Sequence, residues 1–226
     1  MLFSAGLDSA VLLADALARS SAGDRVKALH VSVGFAWEAE ERAMAARLCA
    51  RAPFAGRVDL PVMLSFDMRD VFPDTHWAVR GVPPAFDTPD EDVFLDGRNV
   101  ILTSKAAVFI ARDADSRYAA ARLLLGTLAG NPFPDATPAF FSAQSRALSL
   151  GLELPIAIEA PFAALHKSDV IRRGVELGVP LELTLSCMQP KAGLHCGRCS
   201  KCRERRDAFS QAAVPDPTAY REKPQR

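Results

Sequence analysis

Phe3-Ser4-Ala5-Gly6-Leu7-Asp8-Ser9-Ala10 directly follows the apolar start Met1-Leu2. Met1–Phe3 has the length of a short strand, and Val11, Leu12, Ala16 and Leu17 follow the turn at helical spacing. A strand, a turn of small residues and a helix, in that order, aim several N–H groups and the positive helix end at one point. That arrangement suits an anion. Ser4 and Ser9 add hydroxyls for phosphate oxygens, and Asp8 is placed either to cap the helix or to help hold Mg²⁺. The Gly-Lys-Ser/Thr ending of a Walker A loop is missing, so phosphate would be held here without the usual lysine. A plain Ser- and Asp-capped helix start accounts for the same residues. The loop alone leaves both readings open.

Strand and helix alternate outward from this turn. Val26–Val33 alternates as a strand and Glu38–Arg51 reads as a helix. Val58–Leu64 reads as a strand carrying Pro61. Residues 66–97 are rich in Pro, Asp and Phe without a period, as in a functional or mobile loop. Val100–Arg112 predicts a helix, Arg122–Thr127 a buried strand, Phe140–Leu150 a helix and Ile156–Glu159 a short strand. Lys167–Leu177 predicts a helix stopped by Gly178 and Pro180. This order implies an α/β fold with a doubly wound, mostly parallel sheet. Ligands bind beyond the carboxyl ends of such strands, which returns attention to the first turn. Residues 1–183 form the expected nucleotide-binding domain, and 184–226 a small C-terminal zinc module with a basic helix to about Phe209. The polar tail after Pro215 is expected to fray.

The zinc expectation rests on four of the five cysteines: Cys187, Cys196, Cys199 and Cys202. Two-residue spacers let neighbouring thiolates converge on one tetrahedral ion. Cys187 supplies the fourth ligand, with His195 as an awkward substitute. Disulfides and an iron–sulfur cluster are the competing uses of such a set. Four sulfurs leave no open coordination position, so one structural Zn²⁺ per chain is expected. Cys49, in an Ala-rich helix, reads as an ordinary buried thiol.

The 226 residues include 27 Lys+Arg and 27 Asp+Glu, a balance that argues against a nucleic-acid scaffold. No apolar run approaches the roughly 20 residues that span a membrane. Met1-Leu2-Phe3-Ser4 lacks the charged start of a secretory signal. A reducing cytoplasm is therefore expected, where clustered cysteines bind metal. Only three residues precede the loop, short for a central strand, so a start further upstream is also an expectation.

The first turn resembles the Ser-Gly-Gly-x-Asp-Ser fingerprint of the PP-loop ATP pyrophosphatases (adenine nucleotide alpha hydrolase-like), with Ala5 where that family usually has Gly. Together with the cysteine pattern, the chain resembles the QueC family of 7-cyano-7-deazaguanine synthases over nearly its whole length. Phe94–Val100 (FLDGRNV) is similar to the family's Pro-Gly-Arg-Asn segment. Gly126-Thr127 with Phe133-Pro134-Asp135 is similar to its Gly-Val…Tyr-Pro-Asp, and Ala160–Ile171 to its Thr-Pro-Leu…Lys-x-Glu-Ile. The resemblance implies an ATP-dependent carbon–nitrogen ligase that activates a deazapurine carboxylate as an acyl-adenylate, with Mg·ATP and ammonia as co-substrates. It implies that Ser4, Ala5, Gly6, Leu7, Asp8, Ser9, Gly97, Arg98 and Asn99 hold the nucleotide. Asp8, Arg98 and Lys167 act in catalysis, and Phe133, Asp135 and Lys167 contact the substrate. From the residues themselves, Arg98 and Lys167 are cations at helix starts, against the dipole, as an anion site would require. Each also reads as solvated surface charge. Asp135 reads equally as a turn cap, Phe133 as core filling and Asn99 as an N-cap.

Three departures stand out. Ala5 is expected to restrict φ and crowd the pyrophosphate. Phe35 and Trp37 replace a polar Gln and His beside the expected pocket, in Val33-Gly34-Phe35-Ala36-Trp37-Glu38-Ala39-Glu40. Met188-Gln189-Pro190 replaces an aromatic-led turn. Ala5, Phe35 and Trp37 leave room for a diverged relative that stops at the adenylate or amide, or that transfers the base to a protein partner. A tRNA-modifying PP-loop enzyme and a non-catalytic ATP-binding subunit are further alternatives. A homodimer is compatible with all of them.

Overall fold

A computed structural model describes residues 1–21, 24–113 and 119–222. The elements are α1 (Leu7–Arg19), β1 (Leu29–Ser32), α2 (Glu38–Cys49), β2 (Val62–Ser65), α3 (Trp77–Arg80), α4 (Arg98–Arg112), β3 (Ala121–Leu124), α5 (Pro138–Leu152), β4 (Ile156–Glu159), α6 (Lys167–Glu176) and α7 (Ser200–Ala212). β1 pairs with β2 in parallel from Leu29–Val62 to Ser32–Ser65, and β3 pairs with β4 in parallel from Ala121–Ile156 to Leu124–Glu159. The first three residues join the two ladders. The Phe3 N–H donates to the Leu29 carbonyl (2.8 Å), and the Leu2 N–H donates to the Leu124 carbonyl (3.0 Å) on the other side. Leu2 also forms a parallel bridge with Leu29. The order is therefore β2–β1–(Met1–Phe3)–β3–β4. The chain winds outward from the centre through β1 and β2, then returns through α4 to build the other half. That reversal opens a crevice at the carboxyl end of the central strands.

Side-chain alternation sends successive central residues to cores on opposite faces, while the outer strands β2 and β4 still expose Met63 and Ala157. Met1 and Phe3 enter one core, with Val11, Leu13, Leu48 and Ile171, while Leu2 packs on the other, with Leu29, Ala106, Leu123, Phe141 and Ile158. The first core also takes in the four zinc-pattern cysteines and Phe209, so residues from both expected domains share it. Pro61 explains the late start of β2: it cannot donate to a ladder, and regular pairing begins at Val62.

Two expectations need correction. Residues 66–97 are not wholly irregular: they hold α3 and a 3-10 turn at Asp90–Val93. Nor does the tail fray through Glu222. The His195 N–H donates to the Ala219 carbonyl (3.0 Å), the Arg221 N–H donates to the His195 carbonyl (2.8 Å), and the Tyr220 hydroxyl donates to Asp216 (2.7 Å). Composition marked the tail as polar but could not show that its backbone pairs with the cysteine loop. Among the described residues no helix is long and apolar enough to cross a membrane.

Candidate active site and metal centre

A cavity of about 210 Å³ opens at the crevice, lined by the first-turn residues Ser4, Gly6, Asp8 and Ser9 and by Arg98 and Asn99 from α4, among others. α1 starts at this cavity without any side-chain cap, and its first intrahelical bond runs from the Ala10 N–H to the Gly6 carbonyl (2.9 Å). Ser4 and Ser9 instead brace the loop: Ser4 Oγ accepts from the Gly6 N–H (3.2 Å) and Ser9 Oγ donates to the Gly6 carbonyl (3.0 Å). The helix start is thus left open to an anion. Gly126, just beyond β3, lets the chain pass close to the helix start: a Cβ there would lie 3.2 Å from the Asp8 carbonyl carbon and 3.3 Å from the Ser9 nitrogen, so that backbone would have to give by a few tenths of an ångström.

Ala5 and Leu7 do not line the cavity; both are buried in the core. The Ala5 methyl therefore does not crowd the site, contrary to the sequence expectation, although its φ of 58° does put a Cβ in the left-handed region. Three terms decide Ala5→Gly. Left-handed strain released is about 1–2 kcal/mol, a buried methyl lost is about 0.8 kcal/mol, and extra unfolded-state freedom costs about 0.4–1 kcal/mol. They nearly cancel, so chemical denaturation should find Ala5→Gly within about 1 kcal/mol of wild type. A larger shift of either sign would refute this placement of the methyl.

α4 presents Arg98 and Asn99 because Gly97 turns the chain at φ 71° and Asp135 caps the helix. Asp135 Oδ2 accepts from the Asn99 N–H (2.9 Å) and Oδ1 accepts from the Asn99 side-chain amide (3.2 Å). Asp135 is buried, and the Phe133 ring packs 5.2 Å from Phe94. Gly97, Phe133, Asp135 and Lys167 do not line the cavity. Lys167 is joined to it through Asp8, 3.4 Å away, and also forms an ion pair with Glu204 of α7. Burial disfavours its ammonium, but the two carboxylates outweigh that and hold its pKa above the usual lysine value. Asp15 fixes the helices that carry these groups: buried on α1, it accepts from Arg173 of α6 at 2.8 Å.

Sequence reading missed His30, Glu41 and Thr127, all on the cavity wall. His30 Nδ1 lies 3.2 Å from the Phe3 carbonyl, which can only accept, so Nδ1 carries the proton and Nε2 presents a lone pair. Five buried side-chain polar atoms among the described residues have no partner, and four sit on cavity residues: Asp8 Oδ1, His30 Nε2, Arg98 Nε and Thr127 Oγ1. Burial lowers His30 to about 4 and raises Glu41 to about 7, the latter against the pull of Arg98.

These two shifts oppose each other in acid. As pH falls below 6.5, the unfolded His30 takes up a proton that the folded one refuses, so stability is lost down to about pH 4. As pH rises above 4.5, the unfolded Glu41 releases a proton that the folded one keeps, so stability is lost up to about pH 7. Glu41→Gln removes only the second effect. The stability of Glu41→Gln relative to wild type should rise by roughly 3 kcal/mol between pH 4.5 and 7. Urea titrations at each pH check this, and a flat difference would refute the buried carboxyl.

Phe35 and Trp37 form no part of the cavity wall. Both are buried, with Phe35 packed on Trp37 (5.3 Å) and Phe72 (5.6 Å), and Trp37 stacked on Trp77 (5.5 Å, 10°). The replaced polar residues thus mark a core that clamps residues 72–77 onto the start of α2, not an altered pocket.

At the C-terminal end the Sγ atoms of Cys187, Cys196, Cys199 and Cys202 lie within 4.8 Å of one another, all buried. Cys196–Cys202 and Cys199–Cys202 are 3.9 and 3.5 Å apart. Four thiolates about 2.3 Å from one ion would sit about 3.8 Å apart, whereas a disulfide needs about 2.05 Å. The Gln189 and Cys196 N–H groups both donate to Cys187 Sγ at 3.2 Å, as suits a thiolate. The donor set fits zinc with no open position. His195 is no substitute ligand, because its Nε2 accepts from the Ser186 N–H at 3.1 Å. Cys49 is a core thiol, pushed up to about 11 by burial.

The module is tied to the cavity. The Leu185 N–H donates to the Ala5 carbonyl (2.8 Å), and Glu40 accepts from the Ala192 (2.8 Å) and Gly193 (2.9 Å) N–H groups.

A family model described as "Queuosine biosynthesis protein QueC" matches residues 1–213. The chain is 32% identical to the 7-cyano-7-deazaguanine synthase of Methanopyrus kandleri, with 98% of each chain covered. It is 34% identical to the enzyme of that name from Anaeromyxobacter dehalogenans, with 97% of this chain and 94% of the other covered. An open helix start over a cavity of unpartnered polar atoms, a four-thiolate centre tied to it, and similarity along the whole sequence lead to one conclusion: the chain belongs to the QueC family.

Proposed function

We propose that the chain is a cytoplasmic ATP-dependent ligase that converts 7-carboxy-7-deazaguanine and ammonia to 7-cyano-7-deazaguanine. The observation that carries this reading is the gathering of four unpartnered buried polar atoms on one cavity, beside the uncapped start of α1. Buried polar atoms without partners are costly, and a polar ligand that meets all four relieves the cost.

In this reading a carboxylate oxygen of the substrate attacks the α-phosphorus of Mg·ATP, and pyrophosphate leaves. The first-turn N–H groups of α1 and the hydroxyls of Ser4 and Ser9 hold the pyrophosphate portion, with Ala5, Gly6 and Leu7 shaping the turn. Asp8 helps to hold Mg²⁺. Lys167 and Arg98 offset charge as it develops on the leaving oxygens. Gly97 and Asn99 set the Arg98 position. Ammonia attacks the acyl carbon and AMP departs, leaving the amide. The amide oxygen then attacks the α-phosphorus of a second ATP with release of pyrophosphate, and loss of AMP with the two amide protons gives the nitrile. Asp135 accepts one bond at each oxygen from Asn99 and retains lone pairs for the N–H edge of the base. Phe133 offers a ring face beside it. Zinc, held by the four cysteines, supplies structure alone.

The diverged-relative reading rests on Ala5, Phe35 and Trp37, and all three are buried away from the cavity. Purified protein incubated with Mg·ATP, ammonia and 7-carboxy-7-deazaguanine, followed by mass spectrometry, should yield AMP, pyrophosphate and nitrile. Amide without nitrile would favour the diverged relative. Neither AMP nor any base-derived product would overturn the ligase reading.

A further inference from the structure

The zinc module carries more than the cysteines. Cys199 is the N-cap of α7 and Cys202 lies in its first turn, so the metal site fixes where that helix begins. Glu204 stands two residues beyond Cys202. One of its oxygens pairs with Lys167, and the other accepts from Lys201 at 2.7 Å. Lys201 in turn reaches Asp90 at 3.3 Å, and Lys167 reaches Asp8 on the phosphate loop at 3.4 Å. An unbroken chain of ion pairs thus runs Asp90–Lys201–Glu204–Lys167–Asp8. Side-chain exposure along its inner part is low: 18% for Lys167, and 25% for both Glu204 and Asp8. None of the three is screened as a free surface pair would be. α6 contributes Lys167 at its first residue, where the helix dipole repels the ammonium, so the carboxylates around it must supply its anchorage.

We propose that Glu204 is a positioning residue: from the zinc-anchored helix it holds the Lys167 ammonium beside Asp8, coupling the metal centre to the phosphate loop. The proposal rests on the reading that Lys167 acts on a polyphosphate at that loop. It has a consequence that a purely structural ion pair would not have. Glu204 contributes a negative charge near the bound anion, so removing that charge favours ground-state binding, while losing the anchor lets the ammonium wander from its working place.

Two variants separate charge from position. Glu204→Gln removes the charge but keeps an oxygen that accepts from Lys167; Glu204→Ala removes both. Both should bind a non-hydrolysable ATP analogue with Mg²⁺ about threefold more tightly than wild type. AMP release should slow at least about tenfold in Glu204→Ala and by less in Glu204→Gln. Zinc content should match wild type in both, and melting should fall only modestly, because Lys167 keeps Asp8 and Lys201 keeps Asp90. An analogue affinity that is unchanged or weaker would overturn the proposal. So would wild-type turnover in Glu204→Ala, an equal loss in both variants, or losses that follow lost zinc or unfolding at the assay temperature. The binding measurement needs no turnover, so it remains readable if the ligase reaction itself fails, and wild-type inactivity toward the deazapurine would count against that reading alone.

Discussion

Cys199→Ser is expected to cost more stability than any other single change considered for this chain, and to empty the metal centre. All four thiols are buried within 4.8 Å of one another. Without an ion, the sulfurs would face one another with nothing to satisfy them. Structural zinc contributes about 10–16 kcal/mol in isolated zinc-binding peptides, against a total of about 5–15 kcal/mol for a typical whole domain. The loss would not stay local. Arg205, 1% exposed on α7, donates to the Leu181 carbonyl, Thr184 and Ser186, which lead into Cys187. Leu185 then meets the phosphate loop through the Ala5 carbonyl. Metal analysis should find about one zinc per wild-type chain and far less in the variant. Urea denaturation should show a loss of at least about 4 kcal/mol. A wild-type ratio well below one in metal-replete preparations, or a variant as stable as wild type, would sink the structural role.

The residues legible in the sequence were those whose partners are close in the chain. The phosphate loop and the cysteine spacing are local patterns, and the alternation of strand and helix followed from side-chain period alone. What stayed hidden was set by rotation and by long-range pairing. Glu38, Glu40 and Glu41 fall within four positions on one helix, yet about 100° per residue sends each elsewhere. Glu38 accepts from the Val33 (2.8 Å) and Gly34 (2.9 Å) N–H groups, Glu40 holds the cysteine hairpin, and Glu41 lines the cavity. No composition or spacing rule separates these fates. His30 carries no mark of its own in the sequence, because its role depends on the Phe3 carbonyl, 27 residues away. Asp135 likewise serves a helix 36 residues before it. Phe35 and Trp37 misled because sequence proximity to a pocket says nothing about which way a ring turns; Phe72 and Trp77 had to be placed first.

Lys167→Met should abolish most of the nucleotide chemistry, and the difficulty is to show that chemistry, not folding, is what fails. Removing the ammonium leaves Asp8 and Glu204 facing each other without the cation between them. Stranding a buried charge costs about 3–5 kcal/mol, and these carboxylates, each 25% exposed, should show less. A melting-temperature drop is therefore expected alongside any catalytic loss. Lys167→Arg breaks the confusion. It restores a cation to both carboxylates and should restore melting, but its planar fork is longer and cannot place one compact donor where the lysine nitrogen stands. If Lys167 stabilises charge on the departing pyrophosphate, losing that contact costs about 10²–10³ in turnover. Lys167→Met should then lose that factor in AMP release, and Lys167→Arg should stay at least about tenfold slow while melting like wild type. Recovery of melting and turnover together in Lys167→Arg would reduce the residue to a charge clamp. Near-wild-type AMP release from folded Lys167→Met would remove it from the reaction, and the open start of α1 with Arg98 would have to carry the pyrophosphate alone.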